Sequence, residues 1–413
     1  MYDVIVVGAR CAGSPTAMLL ARKGYRVLLV DKFTFPRDTI SSHYIQQSGV
    51  IQLKRWGLLD KLVNSGCPPI QKLTYNFGSI VSTAWGLSVD GIAEGYSPRR
   101  TVLDKILVDA AVEAGVELRE GFILQEVCMD GDRVTGIRGR TSSGSTVTEK
   151  AHIVIGADGI NSLVARSVHA PEYNTLPSLA CYYYSYWSGV SMEGTEAYIR
   201  DHRMVVTCPT NDNLLSIIIG WPNREFRAFR ADVEANFLAT LDLIPELAER
   251  VRSGKREEAY YGTSHVPNFF RKPYGNGWAL VGDAGYYRDP MLAQGIKDAF
   301  LSAELLANAI DIGLSGRRPL KEALAEYERQ RNQAVMPLYK LVCERATLEP
   351  PSPEAMQLLA ALQGSQKDID RFWGVEAGTV PFQDFYSPEN IQRIIGAAAV
   401  GVDRDHTRVS LHC

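Results

Sequence analysis

An α/β fold is predicted by three features of the chain. The first 32 residues read as strand, glycine-rich loop, helix and strand, the second strand closing on an acid. Two later apolar strands run into Asp158-Gly159 and Gly282-Asp283. Between them stands a block of β-rich runs, and after about residue 331 the pattern turns helical. Together these predict a Rossmann-like nucleotide-binding domain, an inserted antiparallel-sheet domain and a helical C-terminal region.

The opening unit comes first. DVIVVG, from Asp3 to Gly8, is a short apolar strand ending at glycine. AGSPTAMLLARKG has apolar residues at helical spacing and Gly24 as its stop. RVLLVDK is the second buried strand, and Asp31 lies 23 residues after Gly8, near the spacing of an acid that bonds a ribose 2′-OH. Lys32 follows it. The loop aims a helix N-terminus at a pyrophosphate. Gly8 makes the tight turn, Ala12 follows, and Gly13 lets helix and strand pack closely. The middle glycine of the fingerprint is replaced by Arg10. Two readings of Arg10 stand: a side chain turned to solvent, or a guanidinium that reaches a phosphate. Asp31 disfavours a tightly held NADP.

The loop alone does not separate NAD from FAD. AHIVIGADGINSLVAR carries Asp158, and GNGWALVGDAGYYRDPMLAQGIKDAFLSAELLANAI carries Gly282, Asp283 and a helix entered after Pro290. With the glycine loop, ADG and GDA…DPMLAQG in this order, the chain resembles FAD-dependent monooxygenases and related oxidoreductases of the para-hydroxybenzoate hydroxylase fold. That superfamily also holds geranylgeranyl reductases and flavin halogenases. The resemblance covers residues 1 to about 330 and implies a glutathione-reductase-type FAD domain with non-covalent FAD.

The resemblance also implies roles. Asp31 would bond the adenosine ribose and Asp283 the ribityl chain. Pro290 to Ile296, including Gly295, would turn backbone amides toward the flavin ring, where a helix N-terminus stabilises negative charge. Asp158 would serve the cofactor and the nicotinamide. For each of these acids the competing reading is an N-cap or turn residue. Arg100, opening RTVLDKILVDAAVEAGV, and Arg37, in FPRDTISSHY, would touch the cofactor or stay solvated. Val127 in FILQEVCMD would meet the adenine through its backbone. The common GQG after the proline is here Ala293-Gln294-Gly295, still small enough for close approach. His43, in SSHYIQQ, falls where the chain passes the flavin and is carried as a catalytic candidate against a structural histidine.

The FAD domain is expected to be discontinuous, over 1–70, 99–170 and 271–330. Residues 71–98 and 171–270 form the antiparallel-sheet substrate domain, and 331–413 the helical C-terminal region. ACYYYSYWSG, EAYIRD, HRMVVTCPTN and NLLSIIIGWP are the sheet's β-rich runs. Alternation puts Tyr182, Tyr184 and Tyr186 on one face. These tyrosines, with Trp221, are either sheet packing or an aromatic wall over an apolar or aromatic substrate. The tail DRDHTRVSLHC is expected to be loosely ordered.

Composition narrows the function. Hydrophobic residues make up 46% and charged residues 22%, with a formal net charge of −3. This is a globular composition with a sizeable core and no basic stripe for nucleic acid. The longest apolar stretches, such as LLSIIIGW and IIGAAAVGV, are too short to span a bilayer. The first strand starts beside Met1 with no signal-like segment, so a cytoplasmic protein is expected. Seven scattered cysteines, Cys11, Cys67, Cys128, Cys181, Cys208, Cys343 and Cys413, have no CxxC spacing and predict neither disulfides nor a metal site. Nothing in the sequence sets an oligomeric state.

The leading expectation is an NAD(P)H-dependent monooxygenase, in which reduced flavin meets O₂, forms a C4a-hydroperoxide and hydroxylates a small organic molecule. No second strand–loop–helix unit appears, so NAD(P)H is expected to visit only transiently. Rival readings are a C=C reductase, a halogenase, and a non-catalytic prenyl-binding module. The reductases' aromatic-Pro-Lys signature and the halogenases' GWxWxIP are absent, and Lys72 reads as a strand-edge residue.

Overall fold

In the computed structural model, which describes residues 1–397, the chain begins at the centre of a sheet. The expected loose tail and Cys413 lie outside the described residues. β1 (Tyr2–Val7) leads through the glycine loop to α1 (Gly13–Arg22) and back to β2 (Val27–Val30). A long loop then reaches α2 (Gln47–Trp56), which Gly57 ends in a left-handed turn. β3 (Lys72–Asn76) and β4 (Val81–Trp85) form a hairpin belonging to a second sheet. α3 (Arg100–Glu113) and β5 (Glu117–Arg119) return to the first sheet, followed by the antiparallel run β6 (Ile123–Asp130), β7 (Arg133–Arg140) and β8 (Thr146–Gly156).

β8 is shared between two tasks. Its first half pairs with β7, and its second half lies parallel to β1. In the parallel core, the strand Trp278–Leu280, β8, β1, β2 and β5 lie in that order. Side chains alternate across this core. Val4, Val6, Leu29, Ile153 and Ile155 pack with Met18, Leu103 and Phe300 of the helices. Ile5, Val7, Leu28, Val30 and Val154 pack on the other face with Phe122 and Ile137. The near-continuous apolar runs of these strands follow from burial on both faces.

The second sheet holds β9 (Ala180–Ser188), β10 (Thr195–Arg200), β11 (Arg203–Pro209) and β12 (Leu215–Pro222). The strand order is β9-β12-β11-β10-β3-β4. Its pairing is antiparallel except at one step, where β10 runs parallel to β3. The expected all-antiparallel sheet is corrected at that junction, where two distant segments meet without a hairpin. The stretch 171–270 also holds α4 (Val233–Leu241) and α5 (Pro245–Ser253), which the reading as sheet had passed over. They cover the sheet's back face, where Phe237, Leu241 and Leu247 pack on Ile217, Ile219 and Trp221.

After β13 (Trp278–Leu280) a turn leads to α6 (Gly295–Leu314), then α7 (Leu320–Arg345), so the helical region opens before residue 331. α8 (Pro353–Leu362) and α9 (Gln366–Ala377) close over the β3–β4 hairpin, with Trp373 stacked on Tyr75. No helix among the described residues is long and apolar enough to cross a membrane, and no disulfide joins the six described cysteines.

Candidate functional site

The glycine loop is held by contacts that leave no room for side chains. Gly8 has φ +104°, and a Cβ there would fall 2.4 Å from the Ala157 carbonyl oxygen. A Cβ on Gly13 would fall 1.7 Å from the Gly8 oxygen, and one on Gly282 would fall 2.5 Å from Ala12 Cβ. Three segments distant in sequence therefore meet at backbone distance. The Ala9 amide donates to Asp31 Oδ2 at 2.8 Å. The amides of Arg10, Cys11, Ala12 and Gly13 have no backbone partner among the described residues. Such amides at a helix N-terminus form an anion site.

Arg10 follows neither sequence reading in full. Its Nη1 donates to Asp104 Oδ2 at 2.5 Å and to the Arg37 carbonyl at 3.3 Å. Asp104 is wholly buried and is held also by Arg100, whose Nη2 lies 2.9 Å from Oδ1. Two cations thus share one carboxylate beside the free amides, leaving a net positive charge. The neighbouring Arg100 guanidinium also lowers the Asp283 pKa, but burial outweighs it and pushes that carboxyl up to about 6.

A cavity of about 650 Å³ runs from this loop past Asp31 and Lys32 to Asp283 and the start of α6. It is lined by Gly8, Arg10, Ala12, Asp31, Lys32, Arg100, Asp158, Gly282, Asp283, Pro290, Gly295 and Ile296, all expected from sequence. Its volume suits a large cofactor. Gly13 stands behind the loop as packing. Asp158 accepts from the Leu163 and Val164 amides, so it caps a short helix while lining the wall. Burial raises its pKa. Asp31 uses both oxygens on local amides, Ala9 and Phe33, and faces the cavity from there.

Two expected cofactor residues lie elsewhere. Val127 is buried under the sheet with Phe122 and Val134. The wall near it is built instead by Phe122, Ile123 and Leu124, at the start of the strand. Arg37 is exposed and lies over the Phe33 ring at 4.1 Å, outside the cavity.

The turn ahead of α6 is bent by one residue. Ala293 has φ +50°, a left-handed conformation that costs a non-glycine residue roughly 1–2 kcal/mol. It occupies the first place of the GQG pattern. Gln294 Nε2 holds the turn through the carbonyls of Leu292 and Glu376, at 2.8 and 3.0 Å.

A second cavity, of about 140 Å³, lies on the front of the second sheet. Its floor includes Leu73, Tyr75, Ala197, Met204, Val206 and Ile218. Tyr182 and Tyr184 line it as expected, with Tyr44 and Tyr287. The two cavities share walls at Ile40, Ser41, Ser42, Thr263, Tyr287 and Pro290. Sequence reasoning missed the 40–42 segment, Thr263 and Tyr75; only the positions of the first beside His43 and of Tyr75 near Lys72 hinted at them, and nothing pointed to Thr263.

Three residues change place from the sequence reading. Trp221 pairs in register with Cys181, on the back face, and its Nε1 donates to Thr240 Oγ1 at 2.9 Å. Tyr186 shares the face of Tyr182 and Tyr184 but is spent on His43, its hydroxyl 2.6 Å from Nε2, beneath the Arg99 guanidinium. His43 is fully buried with φ +62° and lines neither cavity. Burial, with the Arg100 charge, pushes its pKa down to about 3 and holds the imidazole neutral, and away from both cavities it packs on Tyr186. Lys72 binds Glu193 at 2.8 Å from a half-buried position, and the cavity instead meets its neighbours Leu73 and Tyr75.

A family model described as FAD binding domain matches residues 1–341. Among curated relatives, a tryptophan 2-halogenase of Chondromyces crocatus is 26% identical over 79% of this chain and 64% of its own length. The chain thus spans less than two thirds of that relative. The phenazine 1,6-dicarboxylic acid hydroxylase PhzS of Lysobacter antibioticus is 25% identical over 89% of this chain and 97% of its own. A digeranylgeranylglycerophospholipid reductase of Methanosarcina acetivorans is 26% identical over 80% of each chain. Among solved structures, the myxobacterial chondrochloren halogenase CndH superposes with TM-score 0.79 at 21% identity, covering 97% of both chains.

Proposed function

Because the chain belongs to the FAD binding domain family and FAD is its cofactor, we propose that it is an FAD-dependent monooxygenase acting on a small apolar or aromatic molecule. One observation carries this reading: the large cavity and the small aromatic one share a wall. A cofactor ring at the start of α6 would therefore face the substrate directly. When bound, the flavin supplies the electron transfer and oxygen activation.

The chain's own residues do the rest. The free loop amides with Arg10 and Arg100 would hold the pyrophosphate, Asp31 the ribose, and Asp283 the ribityl hydroxyls. The amides at Gly295 and Ile296 and the dipole of α6 would stabilise negative charge on the ring edge. The apolar walls of the small cavity at Met291, Leu292, Ile218 and Val266 would keep water from a ligand bound there. NAD(P)H is the proposed transient reductant and O₂ the co-substrate.

The rival chemistries fit the small cavity less well. Its volume is that of one aromatic ring, since a cavity of about 150 Å³ accommodates benzene. A prenyl chain would have to extend beyond it, which favours the single-ring reading over the C=C reductase and the prenyl-binding module. The halogenase reading lacks its tryptophan motif, and no lysine lines this cavity. Incubating the FAD-loaded protein with NADH or NADPH, ¹⁸O₂ and a panel of single-ring aromatics tests the proposal. One ¹⁸O atom in a product is expected. Substrate reduction without label, or halogenation with bromide present, would overturn it.

A further inference from the structure

One guanidinium at the α6 end of the large cavity is only partly used. Arg288 precedes Asp289 and Pro290 in the turn before α6, and its side chain is 3% exposed. Its Nη2 donates to Asp298 Oδ2 at 2.5 Å, in the first turn of α6. Its Nε and Nη1 are buried with no hydrogen-bond partner among the described residues. Arg288 nonetheless lines the cavity, together with Tyr286, Pro290, Gly295 and Asp298.

A donor taken from water and left unpaired costs free energy, and more so on a charged group. Folded chains keep few such groups. A buried guanidinium with unspent N–H groups beside a cavity therefore calls for an acceptor that the occupant brings. The other cations of the wall stand elsewhere. Arg10 and Arg100 are held on Asp104, and Arg166 donates to the Asn161 carbonyl. Arg288 is the arginine bonded to α6.

The charge pattern adds a second observation. Asp298 is shared by two cations, since Lys297 Nζ lies 2.8 Å from its other oxygen. Arg288, Lys297 and Asp298 together carry one net positive charge, at the same end of the cavity as the Gly295 and Ile296 amides. Tyr286, whose hydroxyl lies 3.5 Å from Asp298 Oδ2, stays neutral because burial raises its pKa. A fixed positive charge in a buried site favours whichever redox form of a bound group is more negative. Hydride transfer from a nicotinamide adds two electrons and one proton to a neutral flavin ring. The reduced ring then carries one negative charge, gathered at the N1 and C2 carbonyl of its pyrimidine edge.

Resting on the proposed function above, we infer that Arg288 donates its free N–H groups to the pyrimidine edge of the bound flavin and holds the reduced ring more tightly than the oxidised one. Arg288 touches the cofactor. Asp298 acts through it as a positioning residue, anchoring the guanidinium by Nη2, and Lys297 offsets the carboxylate so that the cluster stays positive.

The test is the reduction potential of the bound flavin, measured anaerobically against reference dyes at one fixed pH, beside the dissociation constant of oxidised FAD. Arg288→Met keeps most of the volume and strands no charge, because Asp298 remains paired with Lys297. It should leave oxidised FAD bound within about threefold of wild type and weaken the reduced form about tenfold more, the scale of one charge-assisted hydrogen bond. That difference lowers the two-electron potential by about 30 mV. Arg288→Lys keeps the charge and should recover at least half of the shift. Asp298→Asn removes the negative charge of the cluster and should move the potential the other way, upward. An unchanged potential in Arg288→Met would overturn the inference. So would an equal loss of affinity for both redox forms, which would put Arg288 on the ribityl chain or the phosphates. Should Arg288→Met fail to hold FAD, Asp298→Asn decides alone, and a potential that does not rise overturns the inference. No oxygen or organic substrate enters these measurements, so the monooxygenase reading stands or falls separately by its isotope experiment.

Discussion

Replacing Arg10 with glycine restores the common loop fingerprint and so tests what the arginine does. In the folded protein the change removes one of two cations on Asp104. Asp104 remains paired with Arg100, through contacts of 2.9 and 3.1 Å. The loss is therefore not the roughly 3–5 kcal/mol of stranding a buried charge. It is nearer the roughly 1.5–3 kcal/mol of one charge-assisted hydrogen bond, lowered because the Arg10 side chain is 20% exposed. Glycine adds roughly 0.5–1 kcal/mol in backbone entropy. The apo protein should melt a few degrees lower. For FAD the relevant quantity is charge. The triad carries a net positive unit beside the free amides, and Arg10→Gly leaves a neutral pair. FAD should bind about ten- to a hundredfold more weakly, the equivalent of roughly 1.5–3 kcal/mol. Added salt should narrow the gap. FAD titration of apo wild type and variant by flavin fluorescence, at low and high salt, measures this. Equal affinities at both salt concentrations would refute the phosphate role and leave Arg10 as a clamp on Asp104.

Other expectations follow from the same geometry. Gly13→Ala should abolish FAD binding and lower expression of folded protein, because its Cβ would sit 1.7 Å from the Gly8 oxygen; recovery of a yellow protein would contradict this. Burial pushes Asp289 up to about 7, so the folded state binds a proton that the unfolded chain has released, and stability should fall as pH rises from about 4 to 7. Asp289→Asn should flatten urea-unfolding midpoints across that window, and an unchanged slope would show that Asp289 is not the group responsible. Asp283→Ala should release FAD on gel filtration, while keeping the fold by circular dichroism. Trp221→Phe should cost about 1 kcal/mol through the lost Thr240 bond yet leave ring binding unchanged, and a shift in ligand affinity would return Trp221 to the cavity.

What the sequence revealed and what it hid divide along a physical line. The loop from Gly8 to Gly13, Asp31, Asp283 and Gly295 were legible because each is tied to a local device: a tight turn, a strand end, a helix start. Their side chains or amides line the large cavity through these local devices. The face shared by Tyr182, Tyr184 and Tyr186 was legible for the same reason, since alternation along one strand is local. Trp221 was not, because its face depends on the pairing of β12 with β9. That register sets Trp221 opposite Cys181 and Gly220 opposite Tyr182, and one residue of slip would have reversed it. Val127 lies on the right strand but in its middle, with its side chain in the core, while the strand's start meets the cavity. The small cavity is built almost wholly from such non-local relations. Tyr75 enters through a parallel pairing between β3 and β10, and Glu376 reaches it from a helix about 300 residues further along the chain. A periodic pattern can say that a tyrosine faces inward. Only the tertiary partner decides what its hydroxyl meets, and for Tyr75 that partner is Glu376.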